Sequence, residues 1–103
     1  MAYSVDEKVV FPVYVRVVDS GDVMRYADAG ELTHLEPIDV DNREYEGWDA
    51  LGRRVQMTAK GVTRGKFVVG GGSVDFCLAG AAADPAFGSI VETWVLQTEA
   101  GNR

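Results

Sequence analysis

The stretch Val9-Val-Phe-Pro-Val-Tyr-Val-Arg-Val-Val18, followed by Asp19-Ser-Gly-Asp22 and Val23-Met-Arg-Tyr26, decides the fold. Its first ten residues are rich in β-branched and aromatic side chains, which favour a strand. Pro12 cannot donate a hydrogen bond to a neighbouring strand, so it favours the start of the strand or a sheet edge. The Asp-Ser-Gly-Asp segment is typical of a turn. The sequence therefore predicts a β-hairpin over residues 9–26.

A short helix is predicted directly after this hairpin. Asp28 is typical of an N-cap, and Glu31, three residues later, would complete a capping box. Leu32 and Leu35 would then face the core, and Pro37 would end the helix. Two turns of helix are unstable alone, so this segment depends on packing against the rest of the chain.

Residues 44–58 predict a second hairpin. Asp49-Ala-Leu-Gly52 fits a three-residue loop with Gly52 in the left-handed conformation. The resulting register pairs Asp49 with Arg53, Trp48 with Arg54, Glu46 with Gln56 and Tyr45 with Met57. Because strand side chains alternate between faces, Tyr45 and Met57 are predicted on the core face and Trp48 on the outer face.

The remainder of the chain predicts two more strands and an ambiguous C-terminus. The strands are residues 66–69 and 73–78, joined through Gly70-Gly-Gly72, and residues 79–83 are interpreted as a loop. Residues 85–98 fit either a helix or a strand, because Gly88 and several β-branched residues disfavour a helix. We prefer the helix, since Asp84 and Pro85 suit its start and apolar residues recur at helical spacing: Phe87, Ile90, Val91, Trp94 and Val95.

Together these elements predict an α+β fold in a single domain, residues 1–103. We expect an antiparallel sheet of about six strands, a short helix after the first hairpin and a C-terminal helix packed on one face.

The chain is 47% apolar and 25% charged, which is typical of a globular protein. No apolar run approaches the roughly 20 residues of a membrane helix, and the first residues do not resemble a signal peptide. We therefore expect a cytoplasmic protein, and the single cysteine agrees.

Three motifs with chemical potential have simpler interpretations. Asp39-Val-Asp-Asn-Arg-Glu44 lacks the ligands and the glycine that an EF-hand loop requires, so it is interpreted as an acidic turn with Asn42 left-handed. Gly70-Gly-Gly72 precedes a strand rather than the helix that a phosphate loop requires. The lone Cys77 lies mid-strand, and His34, also single, lies on the short helix, so a nucleophilic pair is not expected. No catalytic residue, metal or cofactor is predicted.

The charge distribution is the main functional signal. Ten of the 16 acidic residues lie in residues 19–49, which we call the acidic window and which hold only two basic residues. Residues 53–66, in contrast, hold five basic residues and no acid. Cross-strand pairs in the second hairpin would neutralise some of these acids. The others form either a solvated face or a surface for a basic partner. The acidic balance disfavours nucleic-acid binding.

Part of the chain resembles small bacterial proteins of uncharacterised function. The resemblance rests on Leu35-Glu-Pro-Ile-Asp-Val-Asp-Asn-Arg-Glu-Tyr45 followed by Asp49-Ala-Leu-Gly-Arg53, and it extends over roughly residues 14–55. Some proteins of this kind are suspected to be immunity proteins against bacterial toxins. The resemblance implies a bacterial, cytoplasmic, non-enzymatic protein, and it assigns no binding residues.

We predict a small acidic protein-interaction domain, such as an immunity-type inhibitor or an accessory factor, that docks on a basic protein. Trp48, if exposed beside the acids, would anchor the partner, because interface hot spots favour tryptophan. Two alternatives stay open. One is a small-ligand or enzymatic domain with a pocket near Cys77. The other is a homo-oligomeric structural protein, most simply a symmetric dimer, that joins the acidic window of one copy to the Arg53–Lys66 segment of another. The predicted partner-binding residues are Asp22, Asp28, Glu31, Glu36, Asp39, Asp41 and Trp48.

Overall fold

The fold is a six-stranded sheet with helices packed on both faces. The computed structural model describes residues 3–64, 69–70 and 72–101. The strands are β1 (Tyr3–Val5), β2 (Val13–Val17), β3 (Val23–Tyr26), β4 (Tyr45–Trp48), β5 (Arg53–Lys60), β6 (Thr63–Arg64), β7 (Val69–Gly70) and β8 (Ser73–Ala83). The helical segments are a 3-10 helix (Glu31–His34), α1 (Pro37–Asp41) and α2 (Phe87–Gly101). The predicted α+β class is confirmed.

The main sheet has the strand order β1-β8-β5-β4-β2-β3, and β6 and β7 form a separate two-stranded ladder. All neighbours in the main sheet are antiparallel except β1 and β8, which run parallel with Tyr3 opposite Val74. Neither β1 nor its parallel pairing was predicted, because three residues carry too little periodicity to reveal a strand. The sheet is therefore mixed.

The first hairpin forms as predicted, with a shorter first strand. β2 begins at Val13, after the predicted start at Val9, and pairs with β3 so that Val13 is opposite Tyr26. Gly21 in the turn has a φ of 76°, which glycine adopts without steric cost. Val13 and Val15 are buried on one face of the sheet and Tyr14 on the other.

Two short helices replace the single one predicted between the hairpins. The 3-10 helix buries Leu32 and Leu35 in the core, as predicted. Pro37, however, also begins α1, since its fixed φ and missing N–H suit the first position of a helix. The acidic turn expected from residue 39 is thus helical as far as Asp41. The left-handed residue after it is Arg43, with a φ of 59°, and not Asn42.

The second hairpin is confirmed near its turn but not along its whole length. Gly52 has a φ of 81°, and Trp48 is opposite Arg54 as predicted. The β4–β5 ladder consists only of this pair and Gly47 with Val55. The predicted pairs of Glu46 with Gln56 and Tyr45 with Met57 do not form, because the two strands diverge there toward different neighbours.

The C-terminal third of the chain differs from the prediction in one strand. β8 covers the predicted strand 73–78 and continues to Ala83, where a loop was expected. The predicted strand 66–69 lies mostly outside the described residues.

α2 confirms the preferred helix, and Ile90 is buried while Phe87, Val91 and Trp94 pack beside it. Val95 stays 38% exposed and does not belong to this core.

The sheet separates two hydrophobic clusters. The 3-10 helix and α1 cover the face that carries Val15, Val55 and Phe76. α2 packs on the opposite face, against Tyr14 and Trp48. Burial of apolar area on both faces, at about 25 cal/mol per Å², is the main stabilising contribution.

Candidate functional site

Trp48 is part of the core and cannot serve as an exposed anchor. Its side chain is 0% exposed, and Ile90 of α2 packs in the same cluster. The guanidinium groups of Arg16 and Arg54 lie 5.4 and 4.7 Å from its ring centroid. The predicted outer face of the hairpin is correct, but α2 covers that face.

The remaining predicted acids lie in the loops and helices around the first hairpin. Asp28 and Glu31 bind backbone amides: Asp28 Oδ1 accepts from Glu31 N at 3.0 Å, and Glu31 Oε2 accepts from Ala27 N at 2.7 Å. These carboxylates therefore stabilise the start of the 3-10 helix. Asp22, Glu36 and Asp41 are exposed, and Asp39 is half-buried on α1.

Three carboxylates converge where α1, β2 and β4 meet; we call Asp19, Asp39 and Glu44 the acidic edge. The amide of Glu44 donates to the carbonyl of Asp39 at 3.1 Å, and the carbonyl of Glu44 accepts from Val18 N at 2.9 Å. The pKa of Glu44 is raised, chiefly by a hydrogen bond shared with the Asp39 side chain, and also by the charges of Asp39 and Asp19. The proximity of the three carboxylates concentrates negative charge at this edge of the sheet.

Tyr45 connects the acidic edge to the interior of the sheet. Its hydroxyl donates to Asp39 Oδ2 at 3.3 Å. Burial, together with the negative charge of Asp39, raises the pKa of Tyr45 to about 12, so the phenol stays protonated at physiological pH. Tyr45 therefore acts as a hydrogen-bond donor that orients Asp39.

The acids at the C-terminal end of the acidic window are paired within the chain. Glu46 contacts Arg16 at 2.8 Å and Arg54 at 3.1 Å, and the hydrogen bond from Arg16 is the main reason that its pKa is lowered. The buried Asp49 contacts Arg53 at 2.6 Å. None of the ion pairs in the described part of the chain includes Asp19, Asp39 or Glu44.

A cleft opens where β4 and β5 separate; we call it the interstrand cleft. It has a volume of about 500 Å³. A second cavity of about 270 Å³ lies beside it, and the two share Arg43, Gln56 and Met57. The other residues that line the interstrand cleft are Val18, Tyr45, Glu46, Arg54, Val55 and Ala79.

The structure does not bring His34 and Cys77 together. The sheet separates His34 from Cys77: the 3-10 helix that carries His34 covers the face on which Phe76 is buried, and Cys77, the next residue in β8, points to the other. Among residues 3–64, 69–70 and 72–101, no group of three or more histidine, cysteine and carboxylate side chains could hold a metal ion.

Four residues of this region were absent from the predicted site. Asp19 and Glu44 belong to the acidic edge, and Arg43 and Tyr45 belong to the interstrand cleft. Their convergence depends on the pairing of β2 with β4, which places Val17 opposite Tyr45. The two hairpins could be recognised separately, but no local pattern indicated that they pair.

No helix within the described ranges is both long and apolar enough to cross a membrane. Comparison of the chain with protein-family models, with curated proteins and with solved structures finds no match.

Proposed function

We propose that this chain is a protein-interaction domain that docks on a basic protein through the acidic edge. The observation that carries the proposal is geometric: backbone hydrogen bonds of Glu44 with Asp39 and Val18 bring Asp19, Asp39 and Glu44 together, and no ion pair in the described residues includes these three. The raised pKa of Glu44 agrees with this proximity. Such crowding costs stability, and natural proteins often tolerate that cost where a surface serves binding. A partner's lysine or arginine would relieve the repulsion on binding.

The paired acids support the same location. Glu46 and Asp49 are neutralised by arginines of the chain, so their charge is structural. The acidic edge has no such pairing in the described residues, and Asp22 lies in the same turn as Asp19. A surface of this kind accelerates association with a basic protein by one to three orders of magnitude at low salt.

Residues 35–45 and 49–53 resemble small uncharacterised bacterial proteins, some of which are suspected to be toxin-immunity proteins, and this resemblance favours an inhibitor or accessory factor as the form of the function. The homodimer proposal has less support, because Arg53, Arg54 and Lys60 already form ion pairs within the chain. These basic side chains already bind carboxylates of their own chain, so they are less available to bind the acids of a second copy.

The test is affinity capture from an extract of the source cell with the full chain as bait. We expect a stoichiometric partner that binds at 0.1 M salt and dissociates at 1 M, where the Debye length falls from about 10 Å to about 3 Å. The double variant Asp39→Lys/Glu44→Lys should not retain it. The matched control, Glu92→Lys/Glu99→Lys, makes the same change in net charge on exposed positions of α2 and should retain it. Absence of a stoichiometric partner, or equal capture by both variants, would contradict the proposal.

A small-ligand function is a second proposal, and one observation favours it. Gln56 lies opposite Cys77 in the β5–β8 ladder and lines the interstrand cleft. The cleft therefore lies on the strand next to the one that carries Cys77, and its volume is in the range of about 300–1,000 Å³ typical of ligand pockets.

A further inference from the structure

We propose that the interstrand cleft binds a small organic carboxylate that carries an apolar group. This inference deepens the small-ligand proposal and is independent of the acidic edge as a docking surface. It rests on the way the cleft is built, the charges in its wall and the backbone of Arg43.

The cleft is a product of the sheet topology. Beyond the pair of Gly47 with Val55, β4 continues beside β2, with Glu46 opposite Arg16. β5 instead pairs with β8, and Met57 lies opposite Phe76. The cleft is thus bounded by two strands that are each held by a ladder on the far side, which makes it a preformed feature and not a gap left by one short side chain.

The wall of the cleft combines an apolar surface with a surplus of positive charge. Arg43 and Arg54 contribute two positive charges, and Glu46 contributes one negative charge. Outside the wall, Arg16 contacts Glu46 at 2.8 Å and Asp84 contacts Arg54 at 3.7 Å, so these two charges offset each other and one positive charge remains in surplus. No ion pair in the described part of the chain includes Arg43. In a chain with a net charge of −6, this is a local site for an anion. The apolar part of the wall consists of Val18, Val55, Met57 and Ala79.

The backbone at Arg43 is an independent indication. Arg43 is the non-glycine residue with a positive φ in the described ranges, at 59°, and this left-handed conformation is sterically unfavourable for a residue that has a Cβ atom. Glycine or asparagine would suit the position better for folding. An arginine there lines both cavities, which is expected if its guanidinium has a function that offsets the strain.

These features select the class of ligand. A guanidinium binds a carboxylate through paired N–H donors, with geometric specificity that a lysine lacks. One arginine that has no ion pair within the described residues suits one negative charge, whereas a polyanion would be repelled by Glu46 and by the nearby acidic edge. The apolar wall requires that the rest of the ligand be apolar, as in an aromatic or aliphatic acid.

The proposal can be tested with phenylacetate and hexanoate as probes and the full chain labelled with ¹⁵N. We expect saturable amide shifts at Arg43, Tyr45, Gln56 and Met57, and weaker binding of phenylacetamide by at least tenfold. Arg43→Asn should weaken phenylacetate binding at least tenfold while leaving the thermal midpoint equal or higher, because asparagine tolerates a left-handed backbone. Arg25→Gln removes the same charge from β3, over Trp94 and away from the cleft, and should bind like the native chain.

Several results would overturn the inference. Shifts scattered over the surface, unchanged affinity in Arg43→Asn, or no saturable response to either acid would each exclude the site. Binding of inorganic phosphate as tight as that of phenylacetate would show that the apolar wall does not select the ligand. Binding of phenylacetamide without phenylacetate would preserve a ligand pocket but contradict a carboxylate site. None of these results affects capture of a basic protein by the acidic edge.

Discussion

The indole Nε1 of Trp48 donates a hydrogen bond to Asp84 Oδ2 at 3.0 Å. The other oxygen of the same carboxylate accepts from the amide of Ala86 at 2.9 Å, directly before α2 begins. The Asp84 side chain thus provides the hydrogen-bond acceptor for the buried indole of Trp48 and also caps α2, the helix that covers this tryptophan. The backbone contact with Ala86, followed by the bond from Trp48, lowers the pKa of Asp84, so the carboxylate stays ionised in both roles.

Asp84→Ala should therefore weaken the attachment of α2 to the sheet. Loss of the cap and of the indole acceptor should lower the thermal midpoint by roughly 4–8 °C, which is typical of one lost cap in a domain of this size. A double-mutant cycle with Trp48→Phe, measured by urea unfolding, isolates the indole contact. We expect a coupling free energy of about 0.5–3 kcal/mol between the two sites. Additive effects of the two substitutions would show that the hydrogen bond contributes nothing.

Asp49 should be the most sensitive charged position in the chain. It is 0% exposed and accepts hydrogen bonds from the backbone amides of Val10, Leu51 and Arg53 as well as from the Arg53 side chain. Asp49→Ala would leave these donors without an acceptor and should cost about 3–5 kcal/mol of unfolding free energy. Asp49→Asn retains one acceptor oxygen and should cost less. Equal losses in the two variants, measured by urea unfolding, would contradict this account.

Asp49 should also account for part of the loss of stability at low pH. Burial alone would raise the pKa of Asp49, but the hydrogen bonds from Arg53, Val10 and Leu51 outweigh it and lower the pKa below its usual 3.8. The unfolded state therefore binds a proton more readily than the native state, and stability decreases as the pH falls below 3.8. Asp49→Asn cannot titrate, so its unfolding free energy should decrease less than that of the native chain over this range.

Glu44 should have the opposite pH dependence. Its raised pKa means that the native state holds a proton more tightly than the unfolded chain, so stability falls as the pH rises from about 4.5 through the raised value. Glu44→Gln removes the repulsion with Asp39 and Asp19 and should raise the thermal midpoint at pH 7, with a smaller gain at pH 4. Glu92→Gln, on the exposed face of α2, is the matched control and should have little effect at either pH. A lower midpoint for Glu44→Gln at pH 7 would contradict an electrostatically strained acidic edge.

Local signals predicted the parts of the fold that local chemistry determines. The glycine-containing turns, the buried Leu32 and Leu35 and the start of α2 each depend on neighbours within a few residues. Pairing of β2 with β4 and of β1 with β8 depends on contacts between segments about 30 and 70 residues apart, for which a single sequence gives no periodic signal.

The candidate site likewise depends on contacts between segments that are distant in the sequence. The alternation of side chains along a strand correctly placed Trp48 on the outer face of the hairpin. Whether Trp48 is exposed there depended on α2, which is distant in the sequence and covers that face. The interstrand cleft depends on the divergence of β4 and β5, which in turn requires that β5 has β8 as its other neighbour. The acidic window was visible in the sequence, whereas its division into paired and unpaired acids required the position of Arg16, 30 residues from Glu46.

The contribution of α2 to stability can be measured with two substitutions on one helix. Ile90 is 2% exposed and packs with Tyr14 and Trp48, whereas Leu96 is 58% exposed on the same helix. Ile90→Ala should cost about 2–5 kcal/mol, because it removes buried methyl groups and leaves a cavity. Leu96→Ala changes a comparable side chain at a solvated position and should stay within about 0.5 kcal/mol of the native value. If both substitutions cost the same in urea unfolding, α2 does not pack on the sheet through the face that carries Ile90.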